Sequence, residues 1–228
     1  MVDFSSNLDI WWRFLEGQGT NVADFSRNGR NGTLVNSPIW LQKGYGPNRR
    51  DGGLTFDGNT TYVWRNSYTF PTTGSVSWWA KPSRAYNSGV LENMFHQGTS
   101  ATGLLHWQHW SGDNQSYIGF YRNTQNDRIT QSGATAWGQN IWQMHSITWT
   151  SGGGTTFYRN GVQIGTDAAT DTSIAGVSLL FGVGESLNLG FSGDMGDFRM
   201  YSRALSDRDV LALYQSMAIY VPKIILVG

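Results

Sequence analysis

The sequence predicts an all-β fold, two packed antiparallel sheets forming a β-sandwich, with one short C-terminal helix. Three observations lead there. Short β-prone runs recur at strand-plus-turn spacing along the chain. Turns rich in Gly, Asn and Asp separate them. A convincing helical period appears once, near the end. No fixed repeat and no long linker divides the chain. Residues 1–217 therefore read as one domain and residues 218–228 as a β-prone tail.

Leu8, Ile10, Trp12 and Phe14 alternate with Asp9, Trp11 and Arg13, the period of a half-buried strand, and Gly17-Gln18-Gly19 ends it. Ser26 to Gly32 reads as a polar loop. Gly53 to Phe56 and Thr61 to Trp64 flank the turn Asp57-Gly58-Asn59. Ser75 to Ala80 places Val76, Trp78 and Ala80 on one face, and Lys81-Pro82 stops it because proline removes a ladder donor. Val90 to His96, Leu104 to Trp110, Tyr117 to Tyr121, Arg128 to Gln131 and Trp142 to Thr150 follow. Asn160-Gly161 joins Thr155–Arg159 to Val162–Gly165, a type I′ hairpin signal that needs positive φ twice. Val177 to Phe181 and Met195 to Tyr201 complete the strands. Ser206 is a good N-cap with Asp209 three residues on, and Val210, Leu213, Tyr214 and Met217 then share one helical face.

Composition limits the function. The 228 residues carry 16 basic and 16 acidic side chains, and this balance argues against nucleic acid as partner. The absence of cysteine excludes a disulfide scaffold and thiolate sites. A chain of this size should fold to about 10,300 Å² of surface, burying ~70% of the extended chain, enough for one core without staples. The N-terminus lacks the basic start and apolar run of a secretory signal, and the longest apolar stretch, Ala218 to Gly228, is about half a membrane span. No membrane span is expected, and the expected location is a virion or the extracellular space, reached without a signal peptide.

Six fragments in order carry a resemblance. They are Leu8–Trp12 leading to Gly17-Gln18-Gly19, Asp24–Leu34, and Leu54-Thr55-Phe56-Asp57-Gly58 with Tyr62-Val63. Val76–Pro82, Trp142 with Phe157–Gly161, and Gly196–Ser206 complete the series. Together they resemble the laminin-G-like jelly rolls of the concanavalin A-like lectin and glucanase superfamily, over roughly residues 4 to 216. The resemblance implies a jelly-roll topology. It leaves the ligand open, because one fold hosts many functions.

Hydrolysis is not expected. Glucanases of the superfamily set two carboxylates about the scissile bond, whereas Glu16, Glu92 and Glu185 lie far apart in sequence and lack the usual two-Glu signature. No Gly-X-Ser-X-Gly elbow is present. His106 and His109 are separated by an odd number on a strand, so they face opposite ways and read as sheet histidines. The resemblance implies a possible structural calcium, with Asp24, Asp57 and Asp197 at the matching positions; Asx-turn chemistry accounts equally for Asp24 and Asp57.

Carbohydrate binding is the expected function, since aromatic rings stack on sugar C–H faces and amides bond the hydroxyls. Trp107, Trp110, Asn114 and Tyr117 supply both parts, and Trp64 with Arg65 and Asn66 offers a second cluster. Against this, aromatic residues dominate core packing, so for any single Trp the core is favoured over a ligand. The expected partner is a glycan or cell-surface polysaccharide. The alternative is a structural virion protein that packs on other virion proteins, or on itself through the tail strand.

Overall fold

The computed structural model describes residues 4–44, 46–47, 51–99, 103–110, 115–121, 129–132, 137–168, 177–184, 187 and 189–218. Strands are numbered in chain order. The first sheet runs β14 (Val162–Asp167), β13 (Gly154–Arg159), β12 (Gln143–Thr150), β7 (Gly74–Pro82), β16 (Ser192–Tyr201), β5 (Gly53–Asp57), β4 (Ile39–Leu41), with β1 (Leu8–Trp12) also on β16. The second runs β11 (Ile129–Ser132), β10 (Gln115–Tyr121), β9 (Gly103–Trp110), β8 (Glu92–Thr99), β15 (Val177–Phe181), β6 (Tyr62–Tyr68), β3 (Gly32–Val35), β2 (Asn21–Val22). Neighbouring strands within both sheets are antiparallel, as expected of a jelly-roll sandwich.

Aromatic side chains fill the gap between the sheets. Trp12 stacks on Phe198 at 5.0 Å and Phe70 on Trp149 at 4.6 Å. Trp12, Trp78, Phe95, Phe157 and Phe181 are fully buried. Each such ring removes on the order of 150–250 Å² from water and dominates the local packing energy. The accessible surface is 10350 Å², the value expected for a single folded domain of this length.

The local signals hold. Asn160 and Gly161 have φ of 53° and 80°, the type I′ pair. Pro82 is the last residue of β7. The helix α1 (Asp207–Ala218) opens on a capping box: the Asp209 N–H donates to Ser206 Oγ and the Ser206 N–H to Asp209 Oδ2, each at 3.2 Å. Two differences stand out. Strands β2, β3 and β4 fall outside the sequence expectation because they are two to four residues long and are specified by pairing, β3 with β6, β4 with β5 and β2 with β3. Phe14 belongs to no strand: it leaves β1 with φ of 56° yet stays fully buried.

Helix α1 lies on the outer face of the first sheet. There Trp79, Met144, Tyr158, Tyr201, Val210, Leu213 and Met217 make a second core, and Tyr214 stacks on Trp79 at 5.7 Å. The far side of Trp79 is thus buried as well, which strand alternation alone does not show. Beneath the helix end, Asp197 is buried, pairs with Arg199 Nε at 3.0 Å and accepts from Trp11 Nε1 at 2.7 Å. On the outer face of the second sheet Trp64 is 36% exposed, while Leu180 and His96, in register with it on β15 and β8, are buried. No helix among the described residues is long and apolar enough to cross a membrane. The tail of residues 219–228 lies outside the described residues.

Candidate functional site

Pleating along β6 sets the site. Val63 is fully buried between the sheets, so Trp64 turns outward on the second sheet and is 36% exposed. Its Nε1 donates to Ser178 Oγ on β15 at 3.1 Å, which fixes the indole edge while the ring stays partly exposed. Thr33 and Leu180 flank Trp64 in register on β3 and β15. Asn66 is exposed two residues along β6, on the same face. Leu180 is opposite His96, and His96 is opposite the His106 backbone. Gln108 lies between buried Trp107 and buried His109 and so points outward, half-buried, opposite Asn93 and the Tyr117 backbone.

The expected sugar-binding residues divide accordingly. Trp64 is on the surface. Trp107 is a correction: it is 0% exposed, sits opposite Phe95 and stacks on Trp137 at 5.3 Å inside the sandwich. The pleat of β9 that turns Gln108 out turns Trp107 in. Trp110 ends β9 and Tyr117 sits on β10, in the same sheet as Trp64, but their side chains are outside what the structure describes. Asn114 lies outside the described residues altogether.

The three candidate calcium ligands are not gathered. Asp24 accepts from the backbone N–H of Trp11, Ser26 and Arg30. Asp57 accepts from the N–H groups of Asn59, Thr60 and Thr61 and from the Thr61 hydroxyl. Partial burial alone would raise its pKa, but these donors outweigh burial and hold the carboxyl below its ordinary value. Asp197 is the buried partner of Arg199. Burial pushes its carboxyl up, only partly offset by the guanidinium. Among the described residues no group of three or more His, Cys, Asp or Glu could hold a metal ion.

Sequence reasoning missed two features. Ser178 was not identified as the partner of Trp64, because that contact spans two strands far apart in sequence. Glu92 is more unusual: it is 0% exposed between the sheets, accepts from the Ser192 N–H at 2.7 Å and faces Arg84 Nη1 at 3.3 Å. Among the described residues its Oε2 has no partner, and burial pushes its carboxyl up to about 7 despite Ser192 and Arg84. Nearby, His109 is held by Ser116 Oγ and the Tyr86 carbonyl, the hydrogen bonds expected of a sheet histidine. His145, on β12, is enclosed by Trp78, Trp107 and Phe157, and burial lowers it to about 3, so it stays neutral.

A laminin G family model, described as concanavalin A-like lectin/glucanases superfamily, matches residues 56–211. A search of curated proteins gives no sequence match. Among solved structures, domain 4 of the extracellular arabinanase AbnA from Geobacillus stearothermophilus, in complex with arabinotriose, superposes with a TM-score of 0.68. It is 18% identical, covering 92% of this chain and 99% of that one. The botulinum neurotoxin serotype D binding domain superposes with a TM-score of 0.71 at 15% identity, over 94% of this chain and 53% of that one. The same toxin's ligand binding domain in complex with N-acetylneuraminic acid gives 0.66 at 15% identity, over 94% and 52%. The chain therefore spans about half the length of the toxin domains. At these identities the likeness is one of fold.

Proposed function

The chain belongs to the concanavalin A-like lectin and glucanase superfamily as a laminin-G-like domain, and from that premise we propose that it is a non-catalytic module that binds carbohydrate. The binding surface in this reading is the outer face of the second sheet, around Trp64. One observation carries it: an indole that is 36% exposed with its edge tied to Ser178, beside the exposed Thr33 and Asn66. That is the arrangement a sugar ring needs, a flat apolar platform with polar groups at its rim. A platform held before the ligand arrives also loses less side-chain entropy on binding. The arabinotriose complex of a domain matched over nearly its whole length supports a glycan as ligand.

The arrangement of the acids supports a non-catalytic role. Hydrolysis needs two carboxyl groups about 5 to 9.5 Å apart across the substrate. Glu92, the acid carried by the strands of the second sheet, is buried beside Arg84, and Glu16 accepts a hydrogen bond from the Ala23 N–H. Such a module works where polysaccharide is exposed, on a virion or outside the cell, and that placement is part of the proposal. A glycan array probed with wild type and Trp64→Ala tests the function. Binding of wild type to a defined glycan set, lost in the variant, is expected. Failure of wild type to bind any glycan would overturn the reading.

A further inference from the structure

We propose that His145 makes this sandwich open in acid, because the space it fills between the sheets accepts a neutral imidazole and not an imidazolium. His145 alternates with Met144 and Ser146 along β12 and turns inward, where it is fully buried. Its ring stacks on Trp78 of β7 at 5.6 Å and on Phe157 of β13 at 6.0 Å, and Trp107 of β9 meets it edge-on at 5.5 Å. Neither ring nitrogen has a hydrogen-bond partner among the described residues. His109, also buried, differs in this respect, since its nitrogens reach Ser116 Oγ and the Tyr86 carbonyl.

The charges around the ring make protonation harder. Arg159 is directly opposite His145 on β13, and like charges so placed repel. Strand β12 itself carries no Asp, Glu, Lys or Arg. Lys81, the charged residue of β7, is taken by Asp194, and Asp197 and Arg199 of β16 pair with each other. His109 shares the inward side of β9 with Trp107, and β10 and β11 beyond it contain no Asp, Glu, Lys, Arg or His. Glu92 of β8 is held by Ser192 and Arg84. Asp167 of β14 is opposite Thr155, at the far end of that strand from Arg159. An imidazolium at His145 would therefore give up its water, find no acceptor among the described residues and face a guanidinium. Burial, with Arg159 second, lowers the pKa of His145 from 6.5 to about 3. The unfolded chain thus binds one proton more between those values, so stability falls as pH drops from 6.5 toward about 3. Glu92 acts in the opposite sense between about 7 and 4.5. The two offset each other down to 4.5, and of the two only the loss at His145 continues below it.

Guanidinium unfolding of the full chain, wild type and His145→Phe, at several pH values between about 4 and about 7 tests this. Phe keeps a ring against Trp78 and Phe157 and cannot take a proton. Glu92 and the other titrating groups are common to both proteins and cancel. The unfolding constant of wild type relative to the variant should rise about tenfold for each pH unit below about 6, and so about a hundredfold from about pH 6 to about pH 4. A ratio that stays constant with pH overturns the proposal. If His145→Phe does not fold, NMR of the wild type labelled at histidine Cε1 decides. The His145 resonance, identified by its contacts to the Trp78 ring, should remain that of a neutral imidazole in the folded chain down to about pH 4. A folded-state titration near 6.5, the ordinary histidine value, overturns the proposal as well.

Discussion

Replacing Glu92 with Gln should remove a pH dependence that the wild-type fold carries. The side chain is fully buried, takes one backbone N–H from Ser192 and one guanidinium contact from Arg84, and leaves Oε2 without a partner among the described residues. Burial raises its carboxyl from 4.5 to about 7. In the unfolded chain the group releases its proton near the lower value; in the folded chain it holds the proton to the higher one. The folded state thus binds more protons between the two, so stability falls as pH rises from 4.5 to about 7 and then levels off. The full loss is about 3 kcal/mol. Gln keeps an acceptor for Ser192 and cannot ionise. Guanidinium unfolding of both proteins at several pH values between about 5 and 8 measures the effect. The stability difference, Gln variant minus wild type, should grow by about 2–3 kcal/mol across that range. Other titrating groups are common to both proteins and cancel. A difference that stays flat with pH would refute the reasoning.

Three further outcomes follow from the packing. Asp197→Asn leaves Arg199 buried without its counter-charge, so it should cost about 3–5 kcal/mol and lower Tm by ~10 °C, while Asp197→Asn with Arg199→Met should recover part of this in calorimetry; the backbone is not the confounding cause, because Asn accepts the φ of 45° found there. Trp107→Ala should destabilise by about 3–5 kcal/mol in denaturant titration, whereas Trp64→Ala should cost under about 1 kcal/mol, and the reverse order would contradict the assignment of one to core and the other to surface. Exchanging calcium for chelator should leave Tm unchanged, because Asp24 and Asp57 already hold their loops through N–H donors, and a Tm several degrees higher with calcium would show that a cation completes them.

Much of the sandwich is legible in the sequence, and the reason differs by element. The β13–β14 turn is readable because Asn160-Gly161 fits positive φ without help from elsewhere. The helix start is readable because Ser206 and Asp209 satisfy each other's backbone locally. Strand β4 is not, since Ile39–Leu41 is a strand by virtue of its pairing with β5. The site is less legible than the fold. Trp64 and Trp107 look alike as residues in short polar-aromatic runs. Only the pleat of each strand relative to the second sheet separates them, and a one-residue change of register would exchange inside for outside. Glu92 reads as an ordinary charged residue at a strand start, and its burial depends on the Ser192 N–H and Arg84 meeting there from distant segments.

Calorimetric titration of wild type and Trp64→Ala with an oligosaccharide that the wild type binds on the glycan array tests the central claim most directly. The account predicts a weakening of about tenfold or more, worth ~1.4 kcal/mol or more, with Tm nearly unchanged. Equal affinity in the two proteins would contradict it and move the binding surface away from Trp64.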